Sequence, residues 1–118
     1  MILVDTSVWI DHLRRRNARL VEALESGVVL CHPIVIGELA CGSLRNRTRV
    51  MALLGELPEV TVASHDEVLT LLEARRLMGR GLGYVDVCLL AAVSLEGAML
   101  WTLDKRLAQV AHTLGVGD

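Results

Sequence analysis

The sequence has very few aromatic residues. Two tryptophans and one tyrosine are the only aromatic residues among 118, and phenylalanine is absent. Proteins that bind single-stranded nucleic acid by stacking successive bases need several exposed aromatic rings. A base-stacking platform of that kind is therefore not expected.

Cysteine and histidine are also scarce. The three cysteines, Cys31, Cys41 and Cys88, show no C-x-x-C spacing, and no two of the four histidines form a metal-ligand pair at helical spacing. Neither a disulfide framework nor a zinc site is predicted. We expect the cysteines to be small buried side chains of a protein from a reducing compartment.

Long apolar runs and a strong net charge are missing as well. No stretch reaches the ~18 apolar residues that cross a bilayer, and the N-terminus lacks a signal-peptide pattern. The formal net charge of −2 gives no overall attraction to nucleic acid. Hydrophobic residues nevertheless make up 53% of the chain, enough for a core. We expect one cytoplasmic domain spanning residues 1–118.

Short apolar stretches alternate with helical patterns along the chain. Strands are predicted at 1–4, 28–31, 60–63 and 98–102, and helices at 6–16, 18–25, 34–44, 45–54, 68–78, 84–95 and 105–114. This alternation indicates an α/β fold whose parallel sheet is covered on both faces. In such folds, functional groups gather beyond the carboxyl ends of the strands.

Four acidic residues stand in otherwise apolar sequence. These are Asp5 after the first strand, Glu38 and Asp86 within apolar helices, and Asp104 after the last strand. Each has a structural alternative, because the three aspartates could cap helices and Glu38 could pair with a buried arginine. Parallel topology would instead bring all four to one edge of the sheet, where their mutual repulsion requires compensation.

Oxygen ligands without histidine or cysteine are the set that Mg²⁺ or Mn²⁺ prefers. The four acids therefore predict a metal pocket, and such a pocket suits phosphodiester hydrolysis because metal ions can activate water without a protein nucleophile. The hydroxyls of Thr6, Ser7 and Thr102 lie beside the acids and could orient water on the metal. Thr6 and Ser7 are equally suited to capping a helix.

The basic residues occur in four groups, each typical of a solvated helix face. The groups are Arg14, Arg15, Arg16 and Arg19; Arg45, Arg47 and Arg49; Arg75, Arg76 and Arg80; and Lys105 and Arg106. Once the four pocket acids are set aside from the 14 acidic residues, 12 basic residues stand against 10. Local patches could then hold a polyanion.

The chain resembles the PIN-domain ribonucleases, and more narrowly the VapC-type toxins of bacterial toxin–antitoxin pairs. The resemblance spans almost the whole chain and rests on Asp5-Thr6-Ser7, Glu38-Leu39, Tyr84-Val85-Asp86 and Leu100-Trp101-Thr102-Leu103-Asp104. It implies a three-layer α/β/α sandwich with a central parallel sheet of four or five strands. The segment Gly115–Asp118 departs from the family because it is very short for a last edge strand.

The same resemblance implies endonucleolytic cleavage of RNA, often transfer RNA, at an acidic site that binds Mg²⁺ or Mn²⁺. It also implies a homodimer and a small antitoxin whose tail blocks the site. The site residues of the family can be matched by position to residues of this sequence. Each matched residue would either hold the metal, directly or through a water molecule, or assist the residues that do. The metal-holding residues would be Asp5, Glu38, Asp86 and Asp104, and the assisting residues would be Thr6 or Ser7, and Thr102.

Two other functions remain open. A non-catalytic PIN-fold binding module would use the acidic pocket only to hold a partner's basic tail, and the presence of all four acids disfavours it. A phospho-accepting receiver domain also has an α/β fold and an acidic pocket. Receivers need adjacent acids after the first strand, whereas Asp5 stands alone, and the mid-chain acid, Glu38, is predicted on a helix.

Overall fold

Strands and helices alternate as the sequence predicts. A computed structural model describes all 118 residues. The elements in chain order are β1 (Ile2–Val4), α1 (Thr6–Arg15), α2 (Ala18–Glu25), β2 (Val29–Leu30), α3 (Pro33–Ala40), α4 (Arg47–Glu56), α5 (His65–Ala74), α6 (Tyr84–Glu96), β3 (Met99–Trp101) and α7 (Lys105–Thr113).

The three strands form one parallel sheet in the order β2-β1-β3. The first strand is central, and its residues Leu3 and Val4 are completely buried. Ile2 lies opposite Val29 in β2 and Met99 in β3. Because all three strands run the same way, their carboxyl ends meet at one edge of the sheet, which we call the carboxyl edge.

The sheet has three strands instead of the predicted four or five. The sequence predicts a strand at 60–63, but only Glu59 pairs there, with Cys31, in an isolated parallel bridge. Thr61 is bound instead to the Glu96 carboxylate through its backbone N–H at 2.7 Å and its hydroxyl at 2.8 Å. The chain is thereby drawn toward the end of α6, and Thr61 and Val62 gain no burial that would favour a strand.

The C-terminal tail adds a single bridge at the opposite side of the sheet. Leu100 donates its N–H to the Val116 carbonyl at 2.7 Å and accepts the N–H of Asp118 at 3.0 Å, which pairs it with Gly117. A Cβ on Gly117 would lie 2.8 Å from the backbone nitrogen of His112, so the tail packs closely on α7. The last edge strand typical of the family is reduced here to one bridge.

Two helices end four residues earlier than predicted. α3 ends at residue 40 and not at 44, because the Arg47 guanidinium donates hydrogen bonds to the carbonyls of Ala40 and Gly42 and so caps the helix end. α5 ends at residue 74 and not at 78, because Arg76 adopts a left-handed φ of 50°. The Arg47 side chain and a backbone reversal at Arg76 therefore set these boundaries.

One hydrophobic cluster of 27 buried residues lies between the sheet and the helices. α6 contributes seven consecutive buried residues, Val87–Val93, as its apolar sequence predicts. This helix is 13 residues long. None of the helices combines the length and apolar character that a membrane span requires.

The prediction that all three cysteines are buried is wrong for one of them. Cys31 and Cys88 are buried, whereas Cys41 is exposed. Cys41 caps the carboxyl end of α3, and the early end of that helix leaves it at the surface. All three thiols are free.

His32 makes the stability of the fold sensitive to acid. The ring is only 2% exposed, and its Nδ1 accepts a hydrogen bond from the Ile34 backbone N–H at 3.0 Å, which caps α3. Burial lowers the pKa of His32 below its usual value, although Glu59 opposes this. Protonation would remove the cap acceptor and charge a buried ring, so the free energy of unfolding should fall as the pH drops below about 6.5.

We predict that His32→Asn, which keeps a capping oxygen, loses less stability on acidification than the wild type does. Urea unfolding at several pH values measures this. Burial also lowers the pKa of His12, so the stability of the His32→Asn variant should still fall to some extent on acidification. The exposed residue His112 provides the control, because His112→Asn should keep the wild-type dependence. Identical curves for His32→Asn and the wild type would contradict the prediction.

Candidate active site

The four predicted acids surround the carboxyl edge of the sheet. Asp5 follows β1, Asp104 lies three residues after β3, Glu38 lies in the second turn of α3, and Asp86 lies in the first turn of α6. The pKa of Asp86 is raised, first by burial and then by the charges of Asp104, Asp5 and Glu38, against a lowering hydrogen bond from Gly83. The other three carboxylates are therefore close enough to Asp86 to act on its charge.

Asp5 is the most buried of these acids, with 8% of its surface exposed. It occupies the N-cap position of α1, but its side chain makes no capping hydrogen bond. Its Oδ2 instead accepts hydrogen bonds from the hydroxyls of Ser7 and Thr102, each at 2.7 Å. Helix capping therefore does not account for this carboxylate, and the two hydroxyls compensate its burial.

The hydroxyl oxygens of Ser7 and Thr102 also accept hydrogen bonds from the backbone. Ser7 Oγ accepts the backbone N–H of Leu103, and Thr102 Oγ1 accepts that of Asp104, each at 3.0 Å. Each hydroxyl thus donates to Asp5 and accepts from the loop after β3. This network joins the start of α1 to the end of β3 and leaves Asp5 little freedom to rotate.

Thr6 holds Glu38. The Thr6 hydroxyl donates to Glu38 Oε1 at 2.6 Å, which links the first residue of α1 to the second turn of α3. Neither of the two salt bridges in the structure involves Glu38. The alternative that Glu38 pairs with a buried arginine is therefore wrong.

Asp104 and Asp86 do cap helices. Asp104 Oδ1 accepts the backbone N–H groups of Arg106 at 2.9 Å and Leu107 at 3.2 Å, at the start of α7. Asp86 Oδ2 accepts the N–H of Gly83 at 2.9 Å, just before α6. The capping alternative is confirmed for both residues. In each case the second carboxylate oxygen has no hydrogen-bond partner, so capping does not exclude a second role.

The four carboxylates share this property, because each engages one oxygen and leaves the other without a partner in the protein. The engaged atoms are Asp5 Oδ2, Glu38 Oε1, Asp86 Oδ2 and Asp104 Oδ1. This all-oxygen, negatively charged donor set fits a hard divalent cation. No three acidic, histidine or cysteine side chains, however, are arranged so that they could hold a metal ion together. A shared ion would therefore require side chains to reorient.

The glycine-rich segment 79–83, which leads into α6, is packed against the start of α7. Gly81 has a φ of +77°, and a Cβ there would lie 2.7 Å from Arg106 Nη1 and 2.9 Å from Arg106 Cδ. Arg106 thus lies directly on the backbone of the segment that carries Gly83 and Asp86. From the sequence, Arg106 is predicted only as a member of a basic group. The three glycines within five residues are the feature that could have indicated a close contact with this segment.

Comparison with known proteins agrees with this geometry. The PIN domain family matches residues 2–113, and the chain belongs to this family. The chain is also similar to two proteins named Ribonuclease VapC32, from the CDC 1551 / Oshkosh and H37Rv strains of Mycobacterium tuberculosis. It is 56% identical to each over 117 residues, which cover 98% of this chain and 94% of each relative. The resemblance to VapC-type PIN-domain proteins is confirmed, and with it the α/β sandwich.

The contact between Arg106 and Gly81 predicts different effects for two similar substitutions. Gly79 and Gly81 have φ angles of +71° and +77°, so an alanine at either position is strained by about 1 kcal/mol or more. Only at Gly81 does the added methyl group collide with Arg106. We predict that Gly81→Ala lowers the free energy of unfolding more than Gly79→Ala does, as measured by urea denaturation.

Combining Gly81→Ala with Arg106→Ala tests the cause of the excess loss. The double variant should recover the part of the loss that comes from the collision, because the arginine side chain is gone. Equal losses for Gly81→Ala and Gly79→Ala, or strictly additive effects in the double variant, would show that the contact has no energetic effect.

The raised pKa of Asp86 predicts a stabilising substitution. Burial and three neighbouring carboxylates disfavour its charged form in the folded protein. In Asp86→Asn the charge is lost, while an amide oxygen can still accept the N–H of Gly83. We predict a higher melting temperature for Asp86→Asn than for the wild type at neutral pH in EDTA.

Asp66 provides the matched control for this measurement. It is exposed in the first turn of α5, where the helix N-terminus favours a negative charge. Asp66→Asn should therefore leave the melting temperature unchanged or lower it slightly. We call the carboxyl edge with its four acids, Asp5, Glu38, Asp86 and Asp104, the acidic edge. A lower melting temperature for Asp86→Asn under metal-free conditions would count against repulsion of Asp86 by the other acids of this edge.

Proposed function

We propose that this protein is a metal-dependent endoribonuclease that hydrolyses RNA phosphodiester bonds. Its catalytic acids in this proposal are Asp5, Glu38, Asp86 and Asp104. The observation that carries the proposal is that all four acids lie around the carboxyl edge of the sheet, each with one carboxylate oxygen that has no partner in the protein. The ribonuclease named among the relatives supports the choice of RNA as substrate.

The cofactor in this proposal is Mg²⁺ or Mn²⁺, held by the four acids directly or through water. When bound, such an ion supplies an activated water molecule and neutralises charge on the scissile phosphate. The unpartnered oxygen of each carboxylate is the atom that would face the ion. The burial of Asp86 and the repulsion that the other three acids exert on it support this assignment, because a cation would offset both.

Three hydroxyls act as assisting residues in this proposal. Ser7 and Thr102 fix Oδ2 of Asp5 by hydrogen bonds and leave Oδ1 free for the site. Thr6 does the same for Glu38 by binding Oε1. Partners of this kind set the orientation of a ligand before the ion and the substrate arrive.

The biological role that we propose is that of a toxin in a toxin–antitoxin pair. The protein would act in the cytoplasm as a homodimer, with transfer RNA as the first candidate substrate. A small antitoxin would block the site with a basic tail. The negative charge of the acidic edge supports this, because it is complementary to a cationic peptide. The VapC type of the relatives supports the toxin assignment.

A non-catalytic module that holds a partner's basic tail is the second candidate. One observation favours it, namely that no three acidic side chains are arranged to hold a metal ion together. Such a module would bind a basic peptide through the same four acids. It would show no nuclease activity with any divalent cation.

Purified protein incubated with RNA and Mg²⁺ or Mn²⁺ tests the proposal. Cleavage should require the metal and should fall more than ~100-fold in Asp5→Asn and Asp86→Asn, because losing an outer partner of a ligand already costs about 10- to 100-fold. Asp66→Asn should retain full activity. Equal cleavage by all four proteins would indicate a contaminating nuclease. If the wild type is inactive with either metal but binds a basic peptide, the binding module is correct.

A further inference from the structure

Two adjoining clefts lead from the acidic edge across the outer face of α1. The nearer cleft has a volume of about 390 Å³ and is lined by Leu103 and by residues of α1, among them Ser7. The farther cleft, of about 490 Å³, is lined by α1 and by the turn at 42–45. Both include Ile10 and Arg14. The two clefts form one surface because they share these residues, and the surface begins beside Asp5 because Ser7 donates a hydrogen bond to that carboxylate.

Two arginines of these clefts have no carboxylate partner. Arg15 pairs with Asp11 at 2.8 Å, but neither Arg14 nor Arg45 takes part in a salt bridge. Both are exposed. Free guanidinium groups bind phosphate groups well because they can donate two parallel hydrogen bonds.

The turn that carries Arg45 is held in place by α4. Arg47, the first residue of α4, donates from Nη1 to the Gly42 carbonyl at 3.1 Å and from Nη2 to the Ala40 carbonyl. These bonds tie the end of α3 and the start of the turn to the first residue of α4. The wall of the farther cleft is therefore a supported feature of the fold.

Exposed apolar side chains alternate with the arginines along this surface. Ile10 and Leu13 are each 38% exposed, and Leu103 is 50% exposed. A duplex keeps its bases stacked inside and presents mainly phosphate and sugar, whereas an unpaired strand also exposes the apolar faces of its bases, whose contact with such side chains removes apolar surface from water. The combination of arginine and aliphatic side chains therefore favours an unpaired strand.

We propose that Arg14 and Arg45 bind the phosphates of an unpaired RNA segment that runs from the acidic edge over α1 to the turn at 42–45. This inference rests on the proposed ribonuclease function and adds the surface that holds the substrate beside the scissile bond. A protein with acidic and apolar side chains is the other kind of partner for such a surface. RNA is favoured because the nearer cleft includes Ser7, which binds Asp5, one of the acids at which the strand would be cut.

Binding of a labelled oligoribonucleotide, measured by fluorescence anisotropy with Mg²⁺ present, tests the inference. All proteins carry Asp86→Asn so that the RNA stays intact. Arg14→Gln and Arg45→Gln should each weaken binding of the single strand severalfold. Each should also reduce the slope of log Kd against log salt by about 0.7, the value for one lost phosphate contact on a single strand. Annealing the RNA to its complement should weaken binding by the parent protein.

Arg75→Gln is the matched control, because it removes the same charge at the end of α5, outside both clefts. It should leave the affinity and the salt slope unchanged. Equal affinities for the Arg14, Arg45 and Arg75 variants would overturn the inference, as would a duplex that binds as tightly as the single strand. If these variants keep their RNA affinity but lose affinity for a purified antitoxin, the clefts serve a protein and the inference is wrong.

Cleavage by proteins with Asp86 intact is measured separately and tests the ribonuclease proposal alone. Arginine-dependent binding without any cleavage would contradict that proposal and leave the binding surface supported. Cleavage by a protein whose RNA affinity does not depend on Arg14 or Arg45 would support the ribonuclease proposal and contradict the binding surface. The two failures are therefore distinguishable.

Discussion

The arrangement of the carboxyl edge depends on the burial of one carboxylate. Asp5 follows the central strand and is almost completely enclosed, which is costly for a charged group without partners. The hydroxyls of Ser7 and Thr102 supply those partners. Because Ser7 belongs to α1 and Thr102 follows β3, the same bonds join a helix start to a neighbouring strand end. An unsatisfied buried group costs about 1–3 kcal/mol, so these bonds serve both the fold and the site.

The acidic edge combines features that reduce stability with features that hold the charges in place. Three negative side chains act on Asp86, where their repulsion adds to the effect of burial and raises the pKa of the carboxyl group. Each carboxylate is nevertheless oriented by a hydroxyl or a backbone N–H, and each keeps an oxygen free. Proteins commonly accept a local loss of stability where function requires it. In our proposal a divalent cation offsets the repulsion, so metal binding and folding stability are coupled at this edge.

Periodicity and apolar patterning predicted the order of the elements, because these features reflect burial along one stretch of chain. They also identified four acids, because a charge stands out in apolar sequence. The errors involve contacts between distant residues. The strand expected at 60–63 is absent because Thr61 binds Glu96, and α3 ends early because the Arg47 side chain of the next helix binds the carbonyls of Ala40 and Gly42. The packing of Arg106 on Gly81 likewise joins two segments that no local pattern connects.

The central claim is that Asp5, Glu38, Asp86 and Asp104 hold one divalent cation in common. A crystal structure of the protein with Mn²⁺, analysed by anomalous scattering, tests this most directly. We expect an anomalous peak at the carboxyl edge, within bonding distance of the free oxygens of at least two of these acids, with the hydrogen bonds to Asp5 intact. The absence of a peak there at saturating Mn²⁺, or a peak only elsewhere on the molecule, would contradict it.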